Sequence, residues 1–465
     1  MTTVRTYLAY ANKIDPAHIL TMADLEISLA LSSTLVTFDH ERQLVSGLAK
    51  SWSIIEPNKV AFTLRDNLKW SDGTPVTAEE YKDALLRAKR VYPDDLKALF
   101  SEVSTIDAPN RTTLVITTKE DVGSSGILLK LTEPMYGLLA IGKSGRINLS
   151  KGVGPYVIKS DNDKMLVLTI NPNWYLYNAN MPSLVEIKRP NNKERNLSTF
   201  AEDKWANLIS GDSILSHSLL SKFKADDYRT WQRSEDKLFG LYPSKPFLAR
   251  GGADVIKMIA ASPERNDLLR GLSGYANAKQ FFPRGYVLWS SRAPMIPKPT
   301  VDHYNGPIRV LIPAGYSSIP IQEKLTELIE DATGSKDVTV KYIPYSSLNE
   351  HLKAQDFEIM ATGLAVSDPN FEGAVSFFIE RDPPVIQSGK PPYDFSKQVR
   401  HARLLPTRDE RVVQLREIFT RAQEAGYFLP LFHFSSLAVA KPPIDMSNIS
   451  NSDETIQFAK LRIVK

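Results

Sequence analysis

The chain carries seven histidines, His18, His40, His217, His303, His351, His401 and His433, and none stands in a His-Glu-x-x-His pair or at another close ligand spacing. The arrangement that would bring two imidazoles onto one zinc ion is therefore missing. There is no cysteine, which removes disulfides, thiolate metal sites and thiol nucleophiles. Gly271-Leu272-Ser273-Gly274 falls one residue short of the Gly-x-Ser-x-Gly elbow that exposes a serine nucleophile, and reads as a flexible turn. The adjacent carboxylates Glu79 and Glu80 sit where a helix would begin, a position that favours its dipole rather than acid-base work. No Gly-x-x-x-x-Gly-Lys-Ser/Thr loop is present to cradle a nucleotide. These residues suit binding rather than catalysis, and neither a metal nor a cofactor is expected.

The segment with more to offer a ligand is Thr362 to Phe371, with Asp368 ahead of Pro369. Phe357-Glu358-Ile359-Met360-Ala361 reads as a strand, and it would deliver this loop at a carboxyl end, where open α/β sheets bind ligands. The ordinary role of an Asp before Pro, stabilising its own turn, stands beside that reading. Upstream, Ile308 to Ile312 reads as a strand, Ile321 to Asp331 as a helix stopped by Gly334, and Val338 to Tyr342 as the next strand, a βαβ unit. Ser347 to Lys353 adds a short helix. The region from 244 to 432 is thus expected to be α/β.

Between Leu44 and Arg90 the pattern is denser. Val60 to Arg65 alternates apolar and polar residues, as a half-buried strand does. Ser71-Asp72-Gly73-Thr74-Pro75 is a reversal, with Asp72 supplying a turn carboxylate and Gly73 tolerating positive φ. Thr77 and Glu80 form a capping box, and Ala78, Tyr81, Ala84, Leu85 and Ala88 recur at helical spacing. Trp52 and Trp70, set between strand and turn, are expected to be core rather than ligand platforms.

This string, Arg65, Lys69-Trp70-Ser71-Asp72-Gly73-Thr74-Pro75-Val76-Thr77-Ala78 after Leu48-Ala49-Lys50-Ser51-Trp52, resembles family 5 of the extracytoplasmic solute-binding proteins, the dipeptide, oligopeptide and nickel binders of ABC importers. Gly152 to Tyr156, Asn171 to Tyr175, Leu208 to Asp212, Pro246-Phe247 with the helical stretch Val255 to Leu269, and Ala425 to Leu431 are similar to further family segments in the same order. The resemblance spans nearly the whole chain and weakens after about Val287.

The resemblance implies an α/β, two-lobed periplasmic-binding-protein fold of class II, the large three-subdomain type, with a hinge between lobes. It implies a lobe I base of residues 1–38, 148–243 and 433–465, a subdomain of residues 39–147 packed on it, and a lobe II of residues 244–432. It implies a monomer that closes around a peptide or similar small to medium solute and delivers it to the transmembrane subunits of an ABC permease. In the family's peptide binders a loop reading roughly Gly-Trp-x-x-Asp-x-x-Asp-Pro carries an aspartate for the peptide's amino group. Here Gly363 to Phe371 is two residues shorter, Leu364 stands where Trp is expected, and Asp368-Pro369 matches the second Asp-Pro, so the amine-binding aspartate is missing. That leaves an oligosaccharide or other non-peptide solute, or a permease-free sensor on the same fold, as alternatives. The ligand contacts that follow are Thr362, Gly363, Leu364, Asp368 and Phe371 in this loop, Tyr345 as a stacking aromatic, Tyr242 before the lobe crossing, and Leu25 and Glu26 on an early loop of lobe I. Plain packing or a solvated face is the competing reading for each.

Composition fits without choosing among these. With 465 residues, 42% of them hydrophobic, the chain can build more than one core. Its formal charge of +4 is small and its lysines and arginines are scattered, unlike the basic stripe of a nucleic-acid binder. No apolar run approaches the roughly 18 residues of a membrane span. The family is exported or lipid-tethered outside the cytoplasm. Because the chain starts Met1-Thr2-Thr3-Val4-Arg5 with no apolar leader, Met1 reads as a start replacing a removed export signal, with a cytosolic chain as the alternative.

Overall fold

The computed structural model describes residues 3–8, 14–15, 19, 22–39, 43–91, 98–119, 124–189, 204–209, 217–232, 237–269, 275–284, 286–313, 321–344, 347–365, 375, 378–379, 384–390, 392–403, 405, 407–434, 437–449 and 455–464. The chain divides into two units, one of Met1–Ser213, Ser218–Gln232 and Leu437–Lys465, the other of Ile214–His217 and Arg233–Ser436.

In the first unit, Val60, Phe62 and Leu64 alternate with Lys59, Ala61 and Thr63, and the strand Lys59–Leu64 buries every second side chain accordingly. It lies inside an antiparallel sheet in the order Ala49–Glu56, Lys59–Leu64, Thr113–Thr118, Val103–Asn110. The helix Ala78–Val91 lays Ala78, Tyr81, Leu85 and Ala88 on the same core, which also takes in Trp70 at 1% exposure. Trp52 packs against that core from a half-buried position. The helix opens on the expected box: the Glu80 N–H donates to Thr77 Oγ1 at 3.2 Å and the Thr77 N–H to Glu80 Oε2 at 2.8 Å. The other carboxylate oxygen of Glu80 accepts the Trp70 indole N–H at 3.0 Å. Asp72 is a turn residue, accepting from the Thr74 N–H at 2.9 Å.

A second core in this unit gathers Val4, Leu31, Tyr156, Val185, Leu208, Ala440 and Leu461. It underlies a sheet in the order Thr3–Tyr7, Leu184–Lys188, Met165–Ile170, Tyr156–Asp161 and a three-stranded sheet in the order Leu208–Ile209, Leu437–Ala440, Arg229–Gln232.

The second unit is built on a six-stranded mixed sheet in the order Tyr275–Asn277, Leu429–Phe434, Lys237–Pro243, Ile359–Ala365, Ile308–Pro313, Val338–Ile343. Its βαβ unit is present: Ile308–Pro313 pairs in parallel with Val338–Ile343, and the helix Gln322–Thr333 between them ends at Gly334, whose φ of 71° closes the last turn. The two faces of the sheet carry separate cores. Phe239, Leu241, Ile359 and Ala361 face the helices Gly252–Ala261 and Gln322–Thr333, while Leu238, Tyr242, Met360 and Leu364 face the helices Phe395–Arg403 and Arg408–Glu424.

Three expectations shift. The helix expected from Val255 to Leu269 spans Gly252–Ala261 and then gives way to a 3₁₀ segment, Pro263–Leu269. Ser262, ahead of Pro263, is extended with ψ 128°, as the proline ring demands of its predecessor. The strand expected at 357–361 runs Ile359–Ala365, so Thr362, Gly363 and Leu364 are strand rather than loop, because Lys237–Pro243 pairs antiparallel along the full length of that strand. The units part at 232/233 and 436/437 rather than at 243/244 and 432/433, since Lys237–Pro243 and Leu429–Phe434 are interior strands of the second sheet.

Candidate solute-binding edge of the second unit

Ile308–Pro313, Val338–Ile343 and Ile359–Ala365 run in parallel, with Pro313 level with Ile343 and Val310 level with Ile359, so their carboxyl ends lie at one edge of the sheet. This is the position at which open α/β sheets present ligand-binding loops. Lys237 begins its strand at the same edge, opposite Ala365 on one side and Phe434 on the other. Tyr345, Asp368 and Phe371 follow these strands in the sequence and lie outside the described residues.

Of the remaining candidates, the sheet brings three together. Tyr242 and Leu364 line one face, and Thr362, between them in register opposite Gly240, points to the same face. Gly363 pairs with Phe239 and belongs to the opposite face. Tyr242 is 1% exposed, Thr362 3% and Leu364 8%, so all three are roofed by protein. The Tyr242 hydroxyl lies 3.0 Å from where a Cβ on Gly240 would stand. The ring thus leans back along its strand toward the loop edge, occupying space that only glycine leaves free. That hydroxyl has no hydrogen-bond partner among the described residues, and burial pushes its pKa well above the ordinary phenol value.

Leu25 and Glu26 are not on a loop but in the helix Met22–Leu31, a run rich in the helix formers Ala, Leu and Glu. Leu25 is half-buried. Glu26 is 1% exposed and accepts a hydrogen bond from the Thr455 hydroxyl, which ties the helix to the C-terminal segment of the same unit.

Two buried ionisable groups of the second unit were not anticipated. His433 pairs in register with Leu238, and its Nε2–H donates to the Phe281 carbonyl at 3.0 Å. Burial, opposed by that hydrogen bond, pulls its pKa down to about 4. Glu358, at the edge opposite the loops, accepts from the Arg309 N–H at 3.0 Å, from Arg309 Nε at 2.8 Å and from Arg250 Nη2 at 3.0 Å. Desolvation works against its charge, yet the hydrogen bonds from Arg309 and Arg250 hold its carboxyl below the usual range. Arg309, a charge inside the apolar run Ile308–Pro313, was the available signal for this cluster.

Among the described residues no group of three His, Asp or Glu side chains could hold a metal ion, and no helix is long and apolar enough to cross a membrane. A cavity of about 10 Å³ in the first unit, lined by Ala84, Arg87, Ala88, Tyr136 and Leu139 among others, has room for roughly one water and none for a solute.

Residues 43–239 match the family model of bacterial extracellular solute-binding proteins, family 5 Middle. The periplasmic murein peptide-binding protein MppA of Escherichia coli (strain K12) is 37% identical over 68 residues, 15% of this chain and 13% of that protein. A probable peptide ABC transporter periplasmic-binding protein, y4tO, of Sinorhizobium fredii is 28% identical over 163 residues, 34% of this chain and 30% of that protein. The aligned stretches therefore span less than a third of these relatives' own length. In three dimensions the likeness runs throughout. The structure of the murein tripeptide binding protein MppA matches with a TM-score of 0.79 at 16% identity over 100% of this chain and 98% of that one. NikA from Brucella suis in complex with Fe(III)-EDTA matches with a TM-score of 0.81 at 16% identity over 100% of both. With the Lys69 to Ala78 string set in its strand, turn and capped helix, this chain matches the family 5 extracellular solute-binding proteins over residues 43–239 and shares an α/β fold with solute binders of known structure from end to end.

Proposed function

We propose that this protein is the ligand-capturing component of an ABC importer, closing two lobes around a peptide or similar small to medium solute and passing it to a membrane permease. The observation that carries this reading is the family 5 match over residues 43–239 on a chain whose whole length follows the fold of solute binders. The unit-2 sheet supports it further, since Tyr345, Asp368 and Phe371 follow in sequence strands whose carboxyl ends share one edge. In this reading the three loop residues touch solute directly. The buried trio underlies that edge on one face of the sheet, and Gly363 lies on the other face of the same strand. The core from Leu35 to Val153 supports a distinct subdomain at about 39–147 within the first unit. The protein works without catalysis or a cofactor, as a monomer, in the periplasm or tethered to the outer face of a membrane.

The shortened loop at 363–371 favours a solute other than a peptide with a free amino terminus as the second reading, because the aspartate that would pair with such an amine is missing from it. Native mass spectrometry of the purified protein separates the two. An amide ladder from a copurified ligand establishes a peptide, and hexose spacing establishes a sugar. Titration with a tripeptide and its N-acetylated form completes the test. The missing aspartate predicts equal affinity for both, and a tenfold or greater preference for the free amine, about 1.4 kcal/mol, would show that another carboxylate has taken its place.

A further inference from the structure

Several loop asparagines of this fold are tied to the backbone by their own side chains. The Oδ1 of Asn110 accepts the Thr112 N–H at 3.0 Å, that of Asn148 the Ser150 N–H at 3.2 Å, that of Asn162 the Lys164 N–H at 3.0 Å and that of Asn171 the Asn173 N–H at 3.0 Å, each an Asx turn. Asn305 differs. It is exposed and lies outside any helix or strand, and neither its side-chain amide nor the N–H of Gly306 has a hydrogen-bond partner among the described residues. Asn305-Gly306 is also the one Asn-Gly pair in the sequence. The chain is pinned on both sides of it. The Tyr304 N–H donates to the Thr333 carbonyl at 2.9 Å, the Ile308 N–H to the Asp337 carbonyl at 2.9 Å, and the Ser335 hydroxyl to the Gly306 carbonyl at 3.1 Å. Position 306 requires glycine, because a Cβ there would stand 2.7 Å from the Tyr304 hydroxyl. With no Cβ and an unbonded N–H, the Gly306 nitrogen is open to the side chain that precedes it.

We propose that Asn305 is a site of self-modification by deamidation. Hydroxide removes the Gly306 N–H proton, and the nitrogen attacks Cγ of Asn305. The new N–C bond closes a five-membered succinimide, while the bond from Cγ to the side-chain nitrogen breaks and that nitrogen leaves, reprotonated, as ammonia. Water then opens the ring at either carbonyl, giving aspartate or isoaspartate at 305. Attack by an adjacent nitrogen needs no encounter, only a side chain that can turn onto it, and the Asx-turn asparagines spend their amides elsewhere. The product carries one more negative charge. In the isoaspartate form the backbone also runs through the side-chain carbonyl, one atom longer between the fixed points at Tyr304 and Ile308.

The test is peptide mapping by mass spectrometry of the folded full chain, aged at mildly alkaline and at mildly acidic pH. The expected result is that the peptide holding Asn305 gains the mass of an amide-to-acid exchange, at least roughly tenfold faster than the peptides holding Asn110 and Asn148, and faster at the alkaline pH. It should elute in two forms, one of them a substrate for an isoaspartate-specific carboxyl methyltransferase. Asn305→Gln, at an exposed position with no hydrogen bond to lose, would have to close a six-membered ring and should convert at least roughly tenfold more slowly than the natural residue. Conversion of Asn305 no faster than that of Asn110 and Asn148, or a rate indifferent to pH, overturns the proposal. So does a product that is aspartate alone, since a succinimide opens both ways, or an Asn305→Gln chain that converts as fast.

Discussion

His433 shows how one buried side chain couples this fold to pH. Its imidazole is neutral inside the second unit, with a pKa of about 4 against an ordinary 6.5. Between those values the unfolded chain takes up a proton that the folded chain refuses. Stability is therefore complete above about pH 6.5 and falls as pH drops toward 4, below which both forms carry the proton and this contribution levels off. The size of the loss is roughly 3 kcal/mol, from 1.36 kcal/mol per pKa unit. His433→Gln keeps a donor for the Phe281 carbonyl and removes the titration. Urea midpoints measured from pH 7 to pH 4 should fall more steeply in the natural protein than in the variant. Parallel curves would mean that His433 is protonated in the fold, or that another group titrates in its place. The carboxylate of Glu358, held low by its arginines, is lost only at more acidic pH and is common to both proteins, so it leaves the difference untouched.

At the scale of elements, the region around Thr77 is held by a single carboxylate that serves three donors: the Thr77 N–H, the Thr77 hydroxyl and the Trp70 indole. Glu80→Ala strips the capping box and leaves a buried indole N–H without an acceptor. It should cost about 2–3 kcal/mol, one part for the cap and one for the orphaned donor. Glu80→Gln keeps one acceptor oxygen for the Thr77 cap but turns its NH2 toward the Trp70 indole N–H, so it should cost about 1–2 kcal/mol, less than the alanine. Equal losses in a chemical-denaturation series would show that charge, not hydrogen bonding, is what matters there. This element was legible because its determinants are local: an alternating strand, a Gly turn and a box three residues apart. The βαβ unit from Ile308 to Ile343 was legible for the same reason. What escaped is non-local. Thr362 to Leu364 looked like loop because nothing nearby announces that Lys237–Pro243 will pair with them. Glu26 looked accessible because its acceptor role toward Thr455 joins residues 429 positions apart. The candidate edge was legible as the carboxyl end of a parallel sheet, while the packing of Tyr242, Thr362 and Leu364 beneath it was not.

For the whole molecule, the second unit is in essence one insertion in the first. Gln232 and Leu437 are paired partners in one sheet, so the chain leaves and re-enters the first unit through neighbouring strand ends, about 5 Å apart at such a pair. Lys237 and Phe434 are likewise partners in the sheet of the second unit. Both cores of that unit fall between Leu238 and Phe434, so the apolar surface that stabilises it comes from the inserted segment alone. It follows that each unit folds without the other. Residues 233–436 expressed alone should unfold cooperatively in calorimetry, and the first unit should do so with Gln232 joined to Leu437 through Asn-Gly, a turn suited to closing an antiparallel pair. If either piece instead shows a broad, non-cooperative transition with native-like secondary structure, its core is completed by the other unit.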